Sequence, residues 1–227
     1  MSTPDSPSYR QRVGYQAMLL GGFATFASVF LVSGNIATRD AIAERHREDL
    51  LQSLSQVIPS DLYDNNLLDN TLEVSDPQDH SITIYRAFKN AQVSALAWEI
   101  SEQGFADEIR MIIGVNTDGE VLGVRVISHA ETPGLGDKIE EKKSDWIFDF
   151  NGLSLGNPPL EQWKVKKDGG RFDAFSGATI TPRAVVKGIT DGLQFFKANR
   201  SRLIAIPDQS DSRVHITSLS NGENSNE

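Results

Sequence analysis

The residues best suited to chemistry lie in one segment, Asp173-Ala174-Phe175-Ser176-Gly177-Ala178-Thr179-Ile180-Thr181-Pro182. It sets small residues and several hydroxyls just ahead of an expected helix, with Thr181 as N-cap and Pro182 as the first helical residue. A helix start presents unpaired N–H groups and the positive end of a dipole, which together favour a phosphate or another anion. Gly177 and Ala178 leave room for a bulky group, and Thr179 is placed to hold a phosphate or to be esterified by one. A Ser-Gly-Ala-Thr loop also serves as a plain tight turn into a helix, and the residues alone leave that alternative open.

A second glycine-dense loop, Glu131-Thr132-Pro133-Gly134-Leu135-Gly136-Asp137-Lys138, is also surrounded by polar groups. It lacks the G-x-x-x-x-G-K-[ST] spacing of a P-loop and the third glycine of a dinucleotide fingerprint. Alone it reads as a sharp turn after a strand, and it gains meaning as the partner of the first loop. His46, His80, His129 and His215 form no metal spacing, and no G-x-S-x-G elbow surrounds Ser176. His129 reads as a strand-end residue. The chain contains no cysteine, which excludes disulfides, iron–sulfur clusters, zinc ribbons and thiol nucleophiles. With 22 basic against 31 acidic residues the net charge is −9, a poor match for a nucleic-acid backbone.

Other elements must position these loops. No charged residue occurs between Arg12 and Arg39, and residues 15–37 are mostly Leu, Phe, Val, Ala and Gly. A bilayer core about 30 Å thick is crossed by about 20 such residues in a helix. We read an uncleaved single-pass anchor, because the apolar part of a secretory signal runs about 7 to 15 residues and no convincing A-x-A cleavage site follows Val32. Arg10 and Arg12 on one side and Arg39, Arg45 and Arg47 on the other do not choose an orientation by count. A short cytoplasmic tail of residues 1–14 is the simpler topology, since a large following domain crosses largely regardless of charge.

Residues 38–57 continue as a helix, with Ile42, Leu50, Leu51, Leu54 and Val57 near one face and Pro59 ending it. Residues 59–80, rich in Asp, Asn, Ser and Pro, read as a linker, so 38–80 is helix and linker. Residues 81–88 and 91–100 read as strands. Ile109, Met111, Ile113 and Val115 alternate, Asn116-Thr117-Asp118-Gly119 turns, and Leu122, Val124 and Val126 alternate again: an antiparallel hairpin. Residues 139–150 fit no single template, 163–167 read as a short strand, and the helix from Pro182 runs to about Asn199. The expected domain is 81–206, of α+β class, and the polar tail 207–227 reads as disordered.

Asp173 through Thr179 resembles the flavinylation motif D-x-x-[ST]-G-A-T of FMN-binding domains, in which the final threonine carries FMN through a phosphoester. The likeness continues in Glu131 through Ile139, Ser144-Asp145-Trp146-Ile147, Val165 through Gly170, and Phe172 through Pro182, which resemble the G subunit of the Rnf-type electron transport complex. That resemblance implies covalent FMN on Thr179, within a motif of Asp173, Ser176, Gly177 and Ala178. Asp173 and Gly177 would be read by a flavin transferase. Glu131, Thr132, Leu135 and Gly136 would contact the isoalloxazine ring and its polar edge, while Trp146 is either a wall for the ring or a core residue. It further implies an electron-carrying subunit without acid–base chemistry of its own, assembled with other subunits in the bacterial inner membrane. Its C-terminal domain would be periplasmic, in a complex joining ferredoxin and NAD to ion translocation. The C subunit of the sodium-pumping NADH:quinone oxidoreductase shares the motif. The D-K-I continuation after Gly136 and the K-K-D-G-G turn favour the Rnf type. Readings of another class are an anchored module holding a phosphorylated ligand non-covalently, and a structural protein whose anchor matters more than its loop.

Overall fold

The computed structural model describes residues 13–75 and 81–206. Along the chain come helix α1 (Val13–Val57), strands β1 (Thr71–Ser75), β2 (Ser81–Lys89), β3 (Gln92–Gln103), β4 (Glu108–Asn116) and β5 (Val121–Ser128), a series of short 3-10 turns, and helix α2 (Ile180–Leu203). The architecture is α+β, as expected. Two compact units divide at Leu50 and Leu51.

In the first unit, Val13–Asn35 is a helix long and apolar enough to cross a membrane. Its Phe23, Phe26, Phe30 and Leu31 side chains are all exposed, as lipid-facing residues would be. The hydroxyls of Thr25 and Ser28 donate to the carbonyls four residues earlier, at 2.9 and 2.8 Å, which removes them as free polar groups.

The second unit is built on one five-stranded antiparallel sheet in chain order, β1-β2-β3-β4-β5. Alternation along β4 puts Ile109, Met111, Ile113 and Val115 into the main core, where Val185, Val186, Ile189, Leu193 and Phe196 of α2 join them. Trp98 of β3 stacks on Phe196 with ring centroids 6.3 Å apart. The opposite face carries small residues in the middle of the sheet, bordered by Tyr85 and Ile112. Tyr85, Ala97, Gly114 and Gly123 form one row across four strands, with Ala87 beside Ala95 in the next. A Cβ on Gly114 would stand 2.3 Å from the Val57 carbonyl oxygen. Glycine is required there because the backbone of the last α1 turn lies directly on the strand. Leu54, Val57 and Ile58 are fully buried in that contact.

Several expectations are corrected. Part of the segment read as linker is β1, the sheet's first strand, and Leu67 and Val74 within that segment are buried. The five residues of β1, among Asp and Asn, carry too little alternation to announce a strand. Residues 163–167 are not a strand. The buried Trp163 and Val165 imitate alternation, but the segment makes a single bridge, Val165 to Phe172, between the 3-10 turns Leu160–Gln162 and Lys166–Asp168. Residues 139–150 hold the 3-10 turn Asp145–Phe150. Helix α2 begins at Ile180 with Thr179 at its N-cap, and it continues to Leu203. Thr181 does not cap, because it already lies within the first turn of the helix. Residues 1–12 of the expected cytoplasmic tail, residues 76–80, and the tail 207–227 lie outside the described residues, as do His80 and His215.

Candidate functional site

The acceptor segment hangs from aromatic anchors. Phe172 stacks on Phe150 at 4.5 Å, and Phe175 meets Trp146 edge-on at 5.0 Å. Trp146 is 6 % exposed and its Nε1 donates to the Asp173 carbonyl at 3.0 Å, so it is a core residue that holds the segment in place. The Ala178 N–H donates to the Phe175 carbonyl, closing a turn in which Gly177 has φ +82°. That backbone conformation favours glycine. Ser176 and Gly177 are therefore exposed at the apex, while Ala178 and Thr179 are half-buried.

Three charged contacts surround this turn. Lys166 Nζ stands 2.6 Å from Asp173 Oδ1, and Lys167 Nζ donates to Thr179 Oγ1 at 3.3 Å. Arg183, in the first turn of α2, grips Asp168 through two bonds of 2.6 Å. The hydrogen bond from Arg183 holds the Asp168 carboxyl below its ordinary range, and the same bond raises the guanidinium of Arg183.

The second loop is organised around Glu131, which is 5 % exposed. Its Oε1 accepts from the N–H groups of Phe105 and Ala106 at 2.8 and 3.2 Å, and its Oε2 accepts from the Thr181 hydroxyl at 2.5 Å. One carboxylate thus joins the β3–β4 turn, the glycine-dense loop and the start of α2. Gly136 fits beneath it, since a Cβ there would lie 2.9 Å from Glu131 Cβ and 3.0 Å from Thr181 Oγ1. The Thr132 carbonyl accepts from the N–H groups of Leu135 and Gly136. Asp137 Oδ1 accepts from the Gly134 N–H at 2.8 Å. That bond, with Lys143 nearby, keeps the Asp137 carboxyl below its ordinary range. His129 sits at the end of β5, accepting the Glu131 N–H on Nδ1 and facing Glu140 with Nε2 at 3.0 Å.

The two loops meet where Leu135 reaches Gly177, its Cδ2 3.6 Å from the position of a Cβ on that glycine. Leu135 is 43 % exposed, and two more apolar side chains are exposed on the elements joined by Glu131, Ile180 (46 %) at the start of α2 and Phe105 (66 %) on the β3–β4 turn. Phe105 and Lys167 are additions to the residues expected from sequence. An aromatic residue directly after Gly104 in a turn was the available signal for the first. The second sat within a K-K-D-G-G turn whose register against Thr179 no local pattern reveals. Among the described residues, no group of three or more His, Asp or Glu converges as a metal site.

The FMN-binding domain family matches residues 104–194, from the β3–β4 turn into α2. The G subunit of the ion-translocating oxidoreductase complex from Stutzerimonas stutzeri is 48 % identical over 188 residues, covering 83 % of this chain and 82 % of that protein. The chain belongs to the family of these G subunits. The corresponding protein of Cereibacter sphaeroides is 47 % identical over 188 residues, covering 83 % of this chain and 86 % of its own. A crystal structure of Shewanella oneidensis NqrC is similar with a TM-score of 0.44 and 20 % identity, covering 66 % of this chain and 73 % of that one. Within this member of the family, the expected site residues fall into two groups. Thr179, Ser176, Gly177, Ala178, Asp173, Thr132 and Leu135 are the more exposed group, with the two loops meeting at Leu135 and Gly177. Glu131, Gly136 and Trp146 lie beneath it as support. Both Glu131 oxygens accept bonds from the protein, so its carboxylate is tied to the fold as well as being an expected contact of the ring edge.

Proposed function

We propose that this chain is the electron-carrying flavoprotein of a membrane ion-translocating oxidoreductase complex, with FMN esterified through its phosphate to Thr179. One observation carries the reading: the Thr179 hydroxyl stands beside a glycine turn at the start of α2, with a lysine ammonium on its oxygen. The residues present fit the group. Gly177 and Ala178 leave its approach unobstructed, Lys167 supplies positive charge at the phosphate position, and Leu135, Ile180 and Phe105 offer apolar surface for a ring. Bound FMN supplies one- or two-electron transfer at its own ring. The chain supplies attachment, orientation and countercharge.

Residues 13–35 anchor the chain in the inner membrane and the domain is periplasmic, in a complex linking ferredoxin and NAD. Its partners are the other subunits and, for maturation, a flavin transferase. A covalent bond suits a compartment where free FMN is scarce. Intact mass and peptide mapping of the full chain, co-expressed with a flavin transferase, test the attachment. The expected result is one FMN on the peptide containing Thr179 and a fluorescent band after denaturing electrophoresis, both lost in Thr179→Ala together with electron transfer by the assembled complex. A wild-type chain without a fluorescent band overturns the covalent reading.

A further inference from the structure

The loop before the acceptor segment is closed on itself by its backbone. Arg171 N–H donates to the Gln162 carbonyl, Phe172 to Lys164, Gly170 to Val165, and Lys166 N–H back to Phe172. Gly169 takes φ +81°, and a Cβ on Gly170 would lie 2.1 Å from the Lys164 carbonyl oxygen. Trp163, Val165 and Phe172 bury the base of this loop in the core. The backbone positions of its apex, the 3-10 turn Lys166–Asp168, are therefore fixed.

From that apex three successive side chains reach three points on the acceptor segment: Lys166 to Asp173, Lys167 to Thr179, Asp168 to Arg183. Residues 164–183 hold five basic and two acidic side chains in a chain of net charge −9. Both acids are paired, by Lys166 and Arg183. Among the described residues Lys167 pairs with no carboxylate, and its ammonium meets a neutral hydroxyl instead. A cation on a neutral oxygen, carried by a backbone held in place, is the arrangement expected where an anion is to be made at that oxygen.

We propose that the Lys166–Asp168 turn is a clasp on the acceptor segment, and that Lys167 is the countercharge that directs flavin attachment to Thr179 and holds the resulting phosphodiester. The proposal rests on the attachment inferred above. In that step the Thr179 Oγ1–P bond forms and the pyrophosphate P–O bond of a flavin adenine dinucleotide donor breaks. AMP leaves, the hydroxyl proton passes to solvent, and no electrons are transferred. A protonated lysine cannot remove the proton. It lowers the energy of the charge that builds on Oγ1 and then pairs with a non-bridging phosphate oxygen. Ser176, three residues earlier, has a hydroxyl at the exposed apex, and among the described residues no lysine or arginine donates to it, so Lys167 also distinguishes the two hydroxyls.

The test is the initial rate of flavin incorporation into the full-length chain, purified in detergent without flavin and then given a flavin transferase and flavin adenine dinucleotide. The wild type is compared with Lys167→Gln, Lys167→Arg and Asp168→Asn, and incorporation is followed by in-gel fluorescence and peptide mass. Lys167→Gln slows incorporation about tenfold, the size of one charge-assisted hydrogen bond at its lower end. Lys167→Arg keeps a rate near wild type, and Asp168→Asn, which loosens the clasp while leaving the lysine, falls between. Each variant's unfolding temperature accompanies its rate. Equal rates for wild type and Lys167→Gln overturn the proposal, and so does equal slowing by Gln and Arg, which would make the effect one of shape. A wild type that takes up no flavin overturns the attachment itself, a separate outcome.

Discussion

Glu131 shows how one side chain organises a site without facing it. A buried carboxylate is costly unless hydrogen bonds replace its water, and here two amide N–H groups and one hydroxyl do so. Glu131→Ala leaves three donors unpartnered in a cramped place, and the expected loss is about 2–3 kcal/mol of stability, seen as a lower unfolding temperature. Glu131→Gln costs less, since its carbonyl accepts the two N–H bonds and its amide donates to the Thr181 oxygen. A Gln variant as unstable as Ala would refute this account. Asp137 gives the same loop a pH dependence. Its carboxyl lies below the ordinary value of about 3.9. The stabilisation is therefore complete above that value and is lost as pH falls through the lower folded-state value. The protection factor of the Gly134 amide, its exchange rate corrected for the intrinsic rate at each pH, should fall in acid below about pH 4, and Asp137→Asn, which keeps an acceptor for Gly134, should flatten the change.

At the scale of elements, the sheet is covered on two faces by different means. Helix α2 meets large side chains, whereas the last turn of α1 rests on a row of Ala and Gly. Gly114→Ala puts a methyl group within the Val57 carbonyl, and we expect about 1–3 kcal/mol of destabilisation by overpacking. Denaturant unfolding of the variant measures it, and a neutral result would mean that the α1 turn shifts freely. The hairpin β4–β5 was legible in sequence because its apolar residues alternate around a glycine turn, and α2 because its apolar residues recur at helical spacing. The motif around Thr179 was legible as a pattern of small residues and hydroxyls. Strand β1 was not, since only Val74 of its five residues is buried. Nor was the role of Glu131, whose partners lie 25, 26 and 50 residues away. Contacts at such separation depend on how the strands pair, and a reading of local pattern has no access to them. The cap was misplaced as well: Thr181 has the right residue type, but the helix starts before it, at Ile180, and its hydroxyl donates to Glu131.

For the whole molecule, the division at Leu50 and Leu51 leads to a prediction about where the chain can be cut. A chain beginning at Leu51 keeps Leu54, Val57 and Ile58, and should be water-soluble and folded. One beginning at Ser60 loses three fully buried side chains, each contributing about 1.5–3 kcal/mol, and bares the small-residue face. Thermal unfolding of the two truncations compares them, and equal stabilities would show that the α1 turn is dispensable. The sheet order has a consequence for the timing of maturation. Each strand pairs with its neighbour in sequence, so the sheet is a low-contact-order structure that is complete in the chain by Ser128. The glycine-dense loop, the clasp and the acceptor threonine all follow that point. A chain emerging N-terminus first therefore presents a finished platform before the hydroxyl exists. The geometry around Thr179 is assembled only when Thr181 reaches back to Glu131, making an ordered acceptor a sign that the rest has already folded.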